Sequence, residues 1–392
     1  MSNPIQLYSF HLMPWPKIDP AVREKYGSSW VVYPNSEYDP ALGHQLYGQY
    51  LDELVFADEI GFDAICVNEH HQNAYGLMPS PNLMAAALIS RTKQARIAIL
   101  GNGIALRDNP LRVAEEVAML DVMSNGRIIS GFVRGIGAEY HSLNIDPSRS
   151  RAKFFEAHDL IIKAWTEPGP FAWDGEHFNY RYVNVWPRPI QQPHPQIFVP
   201  TQGSAETLRW AAQHRYPLAC TFVPMARVKQ FYGEYRRYAA EEFGYEASAD
   251  QFGFTSVIYL AEDEKTAWAE LQPHLDYFRE RCFALPMPMF FPPGYTTGAS
   301  YRTRIEIARA NAAAGGPSLF SGTPLVGTPE QVGEWLEASM AEAGAGILMA
   351  NFQIGDMPHH KVMRSMELFA DRVMPYLNRP KQGSAAAVAA VP

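Results

Sequence analysis

The chain has 392 residues, 47% hydrophobic and 19% charged, which excludes a disordered or coiled-coil polymer and leaves ample material for a core. A net charge of −8, with no Lys/Arg run longer than Arg236–Arg237, argues against a nucleic-acid backbone as partner. The three cysteines, Cys66, Cys220 and Cys282, form no CxxC pair and support neither a disulfide framework nor a zinc ribbon. No stretch reaches the roughly 18 apolar residues of a spanning helix. The opening Met1–Ile5 starts no basic-then-apolar leader, so a cytoplasmic protein with no membrane partner is expected.

Along the chain, short β-branched or aromatic runs alternate with longer helical patterns, as βα units around a parallel sheet do. Strands are predicted at Ile5–Phe10, Asp63–Asn68, Arg96–Gly101, Arg127–Val133, Gln196–Pro200, Leu218–Phe222, Phe252–Leu260 and Gly346–Asn351. Several are apolar nearly throughout, as strands covered on both faces must be. Leu46, Tyr50, Leu51, Leu54 and Val55 trace one helical stripe; Phe154, Phe155, His158, Ile161, Ile162 and Trp165 trace another. Ser80-Pro81, Asn109-Pro110 and Thr328-Pro329 each set a capping residue before proline at the first helical position, and Thr328 to Gln331 also reads as a capping box.

Eight strands, mostly followed by helices and with no change of composition, predict one (β/α)8 TIM barrel over residues 1–378. The tail, residues 379–392, is small, apolar and patternless and is expected to fray. Three stretches exceed ordinary loop length: His11–Gly43, Pro168–Pro195 and Ala284–Thr303. They are expected as insertions at the C-terminal mouth, the last as a mobile lid.

Barrel chemistry sits at the C-terminal ends of the strands. The second predicted strand ends in Asn68-Glu69-His70-His71, a histidine acid/base or a structural hydrogen-bonded pair; it lacks the HExxH spacing of a zinc site, so no metal is expected. Gly101-Asn102-Gly103 ends the third, where glycine lets backbone approach a ligand or simply permits a bend. The fourth gives Arg134 between glycines, a candidate anion ligand; Gly135-Ile136-Gly137 fails as a dinucleotide motif because Tyr140 occupies the third glycine position. After the fifth, Gly203, Ser204 and Thr207 open a helix whose free N–H groups suit a phosphate, and Ser204 also reads as a plain N-cap. A glycosidase would need two facing carboxylates, but Asp263-Glu264 reads better as a first helical turn.

Taken together, these segments resemble the bacterial luciferase-like family of flavin-dependent monooxygenases. The resemblance is carried by Gly61 to His71, Asn109 to Arg127, Gly131 to Gly135, the Trp210-Ala211-Ala212 helix, Val326 to Glu330 and Met366 to Leu377. It implies FMN in a (β/α)8 barrel, often dimeric, with F420 as the alternative cofactor. It also implies His70 as the catalytic histidine, Arg134 with Gly203, Ser204 and Thr207 at the flavin phosphate, and a non-prolyl cis peptide near Gly101-Asn102. The reaction implied starts with O2 adding at C4a of reduced flavin supplied by a separate reductase, and puts one oxygen atom into a small, largely apolar substrate. An F420-dependent oxidoreductase and a non-catalytic flavin carrier are the competing readings. Val133 stands where the light-emitting α chain has a reactive cysteine and Gly203 where it has an acidic residue, so the resemblance implies oxygen insertion rather than light. The arm Met13–Pro40 is similar to that of limonene-monooxygenase-like relatives.

Overall fold

A computed structural model of the chain describes residues 5–298, 301–302, 305–306, 309 and 322–377. All eight predicted strands form: β1 (Gln6–Phe10), β2 (Ala64–Val67), β3 (Arg96–Gly103), β4 (Ile128–Val133), β7 (Gln196–Thr201), β8 (Leu218–Cys220), β9 (Phe252–Leu260) and β11 (Ile347–Asn351). They pair in parallel in that order, and β11 closes on β1 with Tyr8 beside Met349. The closed parallel cylinder with its outer helices is a (β/α)8 barrel. Tyr8 and Phe198, on opposite strands, stack across its interior at 5.9 Å.

Three strands were not anticipated. β5 (Phe171–Asp174) and β6 (Asn179–Val183) form an antiparallel hairpin inside the insertion expected at Pro168–Pro195. β10 (Leu325–Gly327) pairs with the last residues of β9, Leu325 beside Ile258. Each is short, and its pairing is long-range or confined to an insertion, so no alternating pattern announces it.

Helix signals hold with one shift of register. The two apolar stripes lie in helices Pro40–Glu59 and Ser150–Thr166. Thr328 and Gln331 cap reciprocally, with Thr328 N–H donating to Gln331 Oε1 at 2.9 Å, and the helix Pro329–Ala343 ends at left-handed Gly344. Pro81 does open the helix Pro81–Ile89. Pro110 instead sits at the N-cap of Leu111–Met123, with Asn109 Oδ1 accepting from Leu111 N–H at 3.1 Å. Asp263 caps the helix Glu264–Tyr277, so it is spent on the helix terminus.

The arm that follows β1 is pinned across the mouth. Ser28 Oγ donates to the Ala284 carbonyl at 2.7 Å, and Trp30 Nε1 to the Cys282 carbonyl at 3.0 Å. Behind it, Glu53 is buried between two histidines, 2.7 Å from both His11 and His359. The segment after Ala284 packs down on the barrel so closely that a Cβ on Gly137 would meet the Phe290 carbonyl oxygen at 2.2 Å. The tail 379–392 and part of the expected lid lie outside the described residues.

Candidate active site

At the C-terminal ends of β1–β4, β7 and β8, roofed by the arm and the Ala284 segment, lies a cavity of about 580 Å³. That is within the roughly 300–1,000 Å³ range of small-molecule sites. Phe10, Phe132 and Phe222, at or just beyond the ends of β1, β4 and β8, all line it.

Its floor is shaped at β3. The Leu100–Gly101 peptide is cis, and the pairing with β4 shifts register between Ile99 and Asn102. A Cβ on Gly101 would strike the Gly131 backbone at 2.6 Å, so only glycine lets the two strands approach here. Gly101 lines the cavity. Asn102 does not: it is fully buried beside Phe132, whose ring stacks on outer Trp165 at 6.1 Å. The bulge turns the strand just before Asn102, which no local pattern discloses.

The Glu-His-His segment divides into a support and a half-buried ring. Glu69 is buried and accepts from Arg107 at 2.6 Å and from Gly103 N–H at 3.2 Å, while His71 Nε2 lies 2.7 Å from its other oxygen. These contacts tie β2 to β3. His70 instead borders the cavity, its ring 5.5 Å from Trp30 and 5.0 Å from Tyr75. Its Nδ1 lies 3.0 Å from Glu139 Oε1, and the second Glu139 oxygen accepts from Ile136 N–H at 2.8 Å. Because a carboxylate accepts, Nδ1 of His70 donates to Glu139, and Nε2 has no partner among the described residues. Glu139 was missed from sequence. Its only trace is an acidic residue in the first turn of the short helix Gly137–Ser142, which reads as ordinary dipole complementarity.

The opposite end of the cavity is positive. Arg134 donates to Ser150 Oγ and to the Tyr295 carbonyl, both at 3.1 Å, and its guanidinium lies over the Tyr295 ring at 4.2 Å. Arg151, also missed from sequence, lines the same end, 3.5 Å from Glu206. Burial, then the neighbouring Arg134 charge, lowers its pKa below the ordinary arginine value. Facing them is the start of the helix Ala205–Gln213, where Ser204 Oγ accepts from Thr207 N–H at 3.3 Å and lies 2.8 Å from Thr207 Oγ1. Gly203 precedes it at φ +81°, and a Cβ there would fall 2.1 Å from the Phe231 ring. Gly203, Ser204 and Thr207 all border the cavity. Among the described residues no cluster of three or more His, Cys, Asp or Glu is arranged to hold a metal ion.

A closed barrel with this cavity at its C-terminal mouth belongs to the large class of (β/α)8 enzymes. Residues 33–346 match the model of the luciferase-like monooxygenases, and the chain belongs to that family of oxidoreductases. It is similar to the alkanal monooxygenase alpha chain of Photorhabdus luminescens, 26% identical over 334 residues that span 84% of this chain and 91% of that one. Monooxygenase RslO1 from Streptomyces bottropensis shares the fold with a TM-score of 0.70 at 24% identity, covering 95% of this chain and 99% of that one. The FMN-bound oxygenating constituent of 3,6-diketocamphane monooxygenase from Pseudomonas putida does so at 0.72 and 19%, covering 96% and 100%. An F420-dependent secondary alcohol dehydrogenase shares the fold at 0.67 and 16%, covering 97% and 100%, so the neighbours include both flavin and deazaflavin enzymes.

Proposed function

We propose that the protein is a two-component monooxygenase that takes reduced FMN from a separate reductase and inserts one atom of O2 into a small, largely apolar substrate. The observation that carries this reading is the positive end of the cavity. Arg134 and Arg151 line one end of the cavity together with the N-terminus of the helix Ala205–Gln213, where an anion would offset the mutual repulsion of the two guanidinium groups. Gly203, Ser204 and Thr207 would complete the hold on the phosphate, and Gly101 would border the rest of the flavin.

Reduced FMN, when bound, supplies the electrons that split O2 between product and water. The chain's own residues do the rest. The arm and the Ala284 segment exclude water from the cavity, which protects a reactive oxygen species from wasteful breakdown. Glu139 holds the His70 ring so that Nε2 faces the reacting groups, where it accepts or returns a proton. No helix among the described residues is long and apolar enough to cross a membrane. The chain would act as a homodimer in the cytoplasm. Exposed Leu83, Met119, Val122 and Met123 on neighbouring helices offer an apolar face for a second copy.

The test is anaerobic titration with reduced FMN and with reduced F420, followed by mixing with O2. Tight binding of FMN and an oxygen-dependent flavin intermediate are expected in the wild type. Product formation with a cyclic ketone or aldehyde probe should fall by about 10²- to 10⁴-fold in His70→Ala. Selective binding of F420, or equal turnover by both proteins, would overturn the assignment.

A further inference from the structure

We infer that the substrate is a flat, uncharged aromatic compound held by an aromatic wall that the arm, the loop after β2 and residues 283–295 contribute. The inference rests on the FMN reading above, which assigns the positive end of the cavity to the cofactor and leaves the His70 end to the substrate.

The wall is continuous from one end to the other. Trp30 packs on Tyr75 at 4.9 Å, Tyr75 on Phe283 at 5.9 Å, and Phe283 on Phe290 at 6.0 Å. Phe290 meets Phe291 edge-on at 4.5 Å, and Phe291 lies 6.3 Å from Tyr295, which carries the Arg134 guanidinium. All six line the cavity. Below, Phe10 and Phe222 meet edge to face at 5.9 Å, so the roof and the floor both present rings.

Uncommitted charge is scarce along this wall. The Trp30 indole N–H is already spent on the Cys282 carbonyl, and the ring is fully buried, so its orientation is set before any ligand arrives. The two carboxylates at this end are also committed, Glu69 to Arg107 and His71, and Glu139 to His70. The arginines gather at the far end. A charged substrate beside His70 would therefore lose its hydration without gaining a counter-ion, which selects against charge. A saturated substrate could bury the same apolar area, but only an aromatic ring also gains the edge-and-face attraction between ring quadrupoles. Fixed rings on two sides favour a flat shape over a puckered one.

The test is calorimetric titration of the full-length protein, loaded with oxidised FMN, with 2-naphthol and with decahydro-2-naphthol. The two share a carbon skeleton and one hydroxyl and differ in flatness and aromaticity. After correction for their water–octanol partition, 2-naphthol is expected to bind at least about fivefold more tightly. Trp30→Leu and Phe283→Leu, each checked for native circular dichroism, should bring that ratio towards one and leave FMN affinity unchanged. Equal binding of the two probes, or a preference that survives in a folded variant, would overturn the inference. The same pair titrated without flavin reads the wall independently, so failure to bind FMN counts against the proposed function and not against the aromatic preference.

Discussion

Replacing Arg134 by alanine should weaken FMN binding by about 1.5–3 kcal/mol, the net worth of a hydrogen bond to a charged group. That is a rise of roughly 10- to 150-fold in Kd. The structure supports the full range. Arg134 has only neutral partners among the described residues: Ser150 Oγ, the Tyr295 carbonyl and the Tyr295 ring. No carboxylate competes for its charge, so the protein loses little internal pairing when the side chain is removed. Arg151 remains beside the phosphate, so the loss should not approach the larger cost of leaving an anion unpaired. Quenching of flavin fluorescence during titration provides the assay, and riboflavin, which lacks the phosphate, provides the control. FMN affinity should fall while riboflavin affinity holds. Arg151→Ala should do the same, and the double variant should lose more than the sum because only it leaves the anion without a cationic side chain. Unchanged FMN affinity, or an equal loss for riboflavin, would refute the placement of the phosphate.

Three further outcomes are expected. Glu139→Gln replaces an acceptor by an amide that can also donate to His70 Nδ1, so ¹⁵N NMR should show His70 leaving a single Nδ1–H form for a mixture of tautomers; an unchanged spectrum would mean that Glu139 does not orient the ring. Gly203→Ala should cost about 2–5 kcal/mol, roughly 1–2 from the left-handed backbone and about 1–3 from overpacking on Phe231. A urea midpoint equal to that of the wild type would contradict it. Burial, then neighbouring His158, pushes the His214 pKa down to about 4. Between that value and an unfolded value near 6.5, the unfolded chain binds a proton that the folded chain does not, so stability should fall as pH drops through this window. His214→Phe, stacked on Tyr216 as the imidazole is, should flatten that slope; an identical pH dependence in both proteins would exclude the effect.

How much was legible depended on whether a signal was local. The eight barrel strands, the stripes at Leu46–Val55 and Phe154–Trp165, and the cap at Thr328 are properties of a few consecutive residues. Hydrophobic periodicity and terminal hydrogen bonding decide such elements before the chain folds. His70, Arg134 and the Gly203–Thr207 turn were legible for a related reason: polar or glycine residues interrupt apolar runs at strand ends, which in a barrel is the mouth.

The rest was settled only by closure of the cylinder. Glu139 and His70 are 69 residues apart, and their 3.0 Å contact exists because β2 and β4 lead into the same mouth. Arg151 looked like any helix residue until folding set it beside Arg134 at one end of the cavity. Of the Gly101-Asn102 pair at the end of β3, Gly101 borders the cavity and Asn102 is fully buried behind it. The two histidines of one Glu-His-His segment took different roles because adjacent residues on a chain face different surroundings in space. Sequence alone thus determined which segments become strand, helix and mouth, through interactions of short range. Which side chains share the cavity, and with what charge beside them, follows from long-range packing that no single segment encodes.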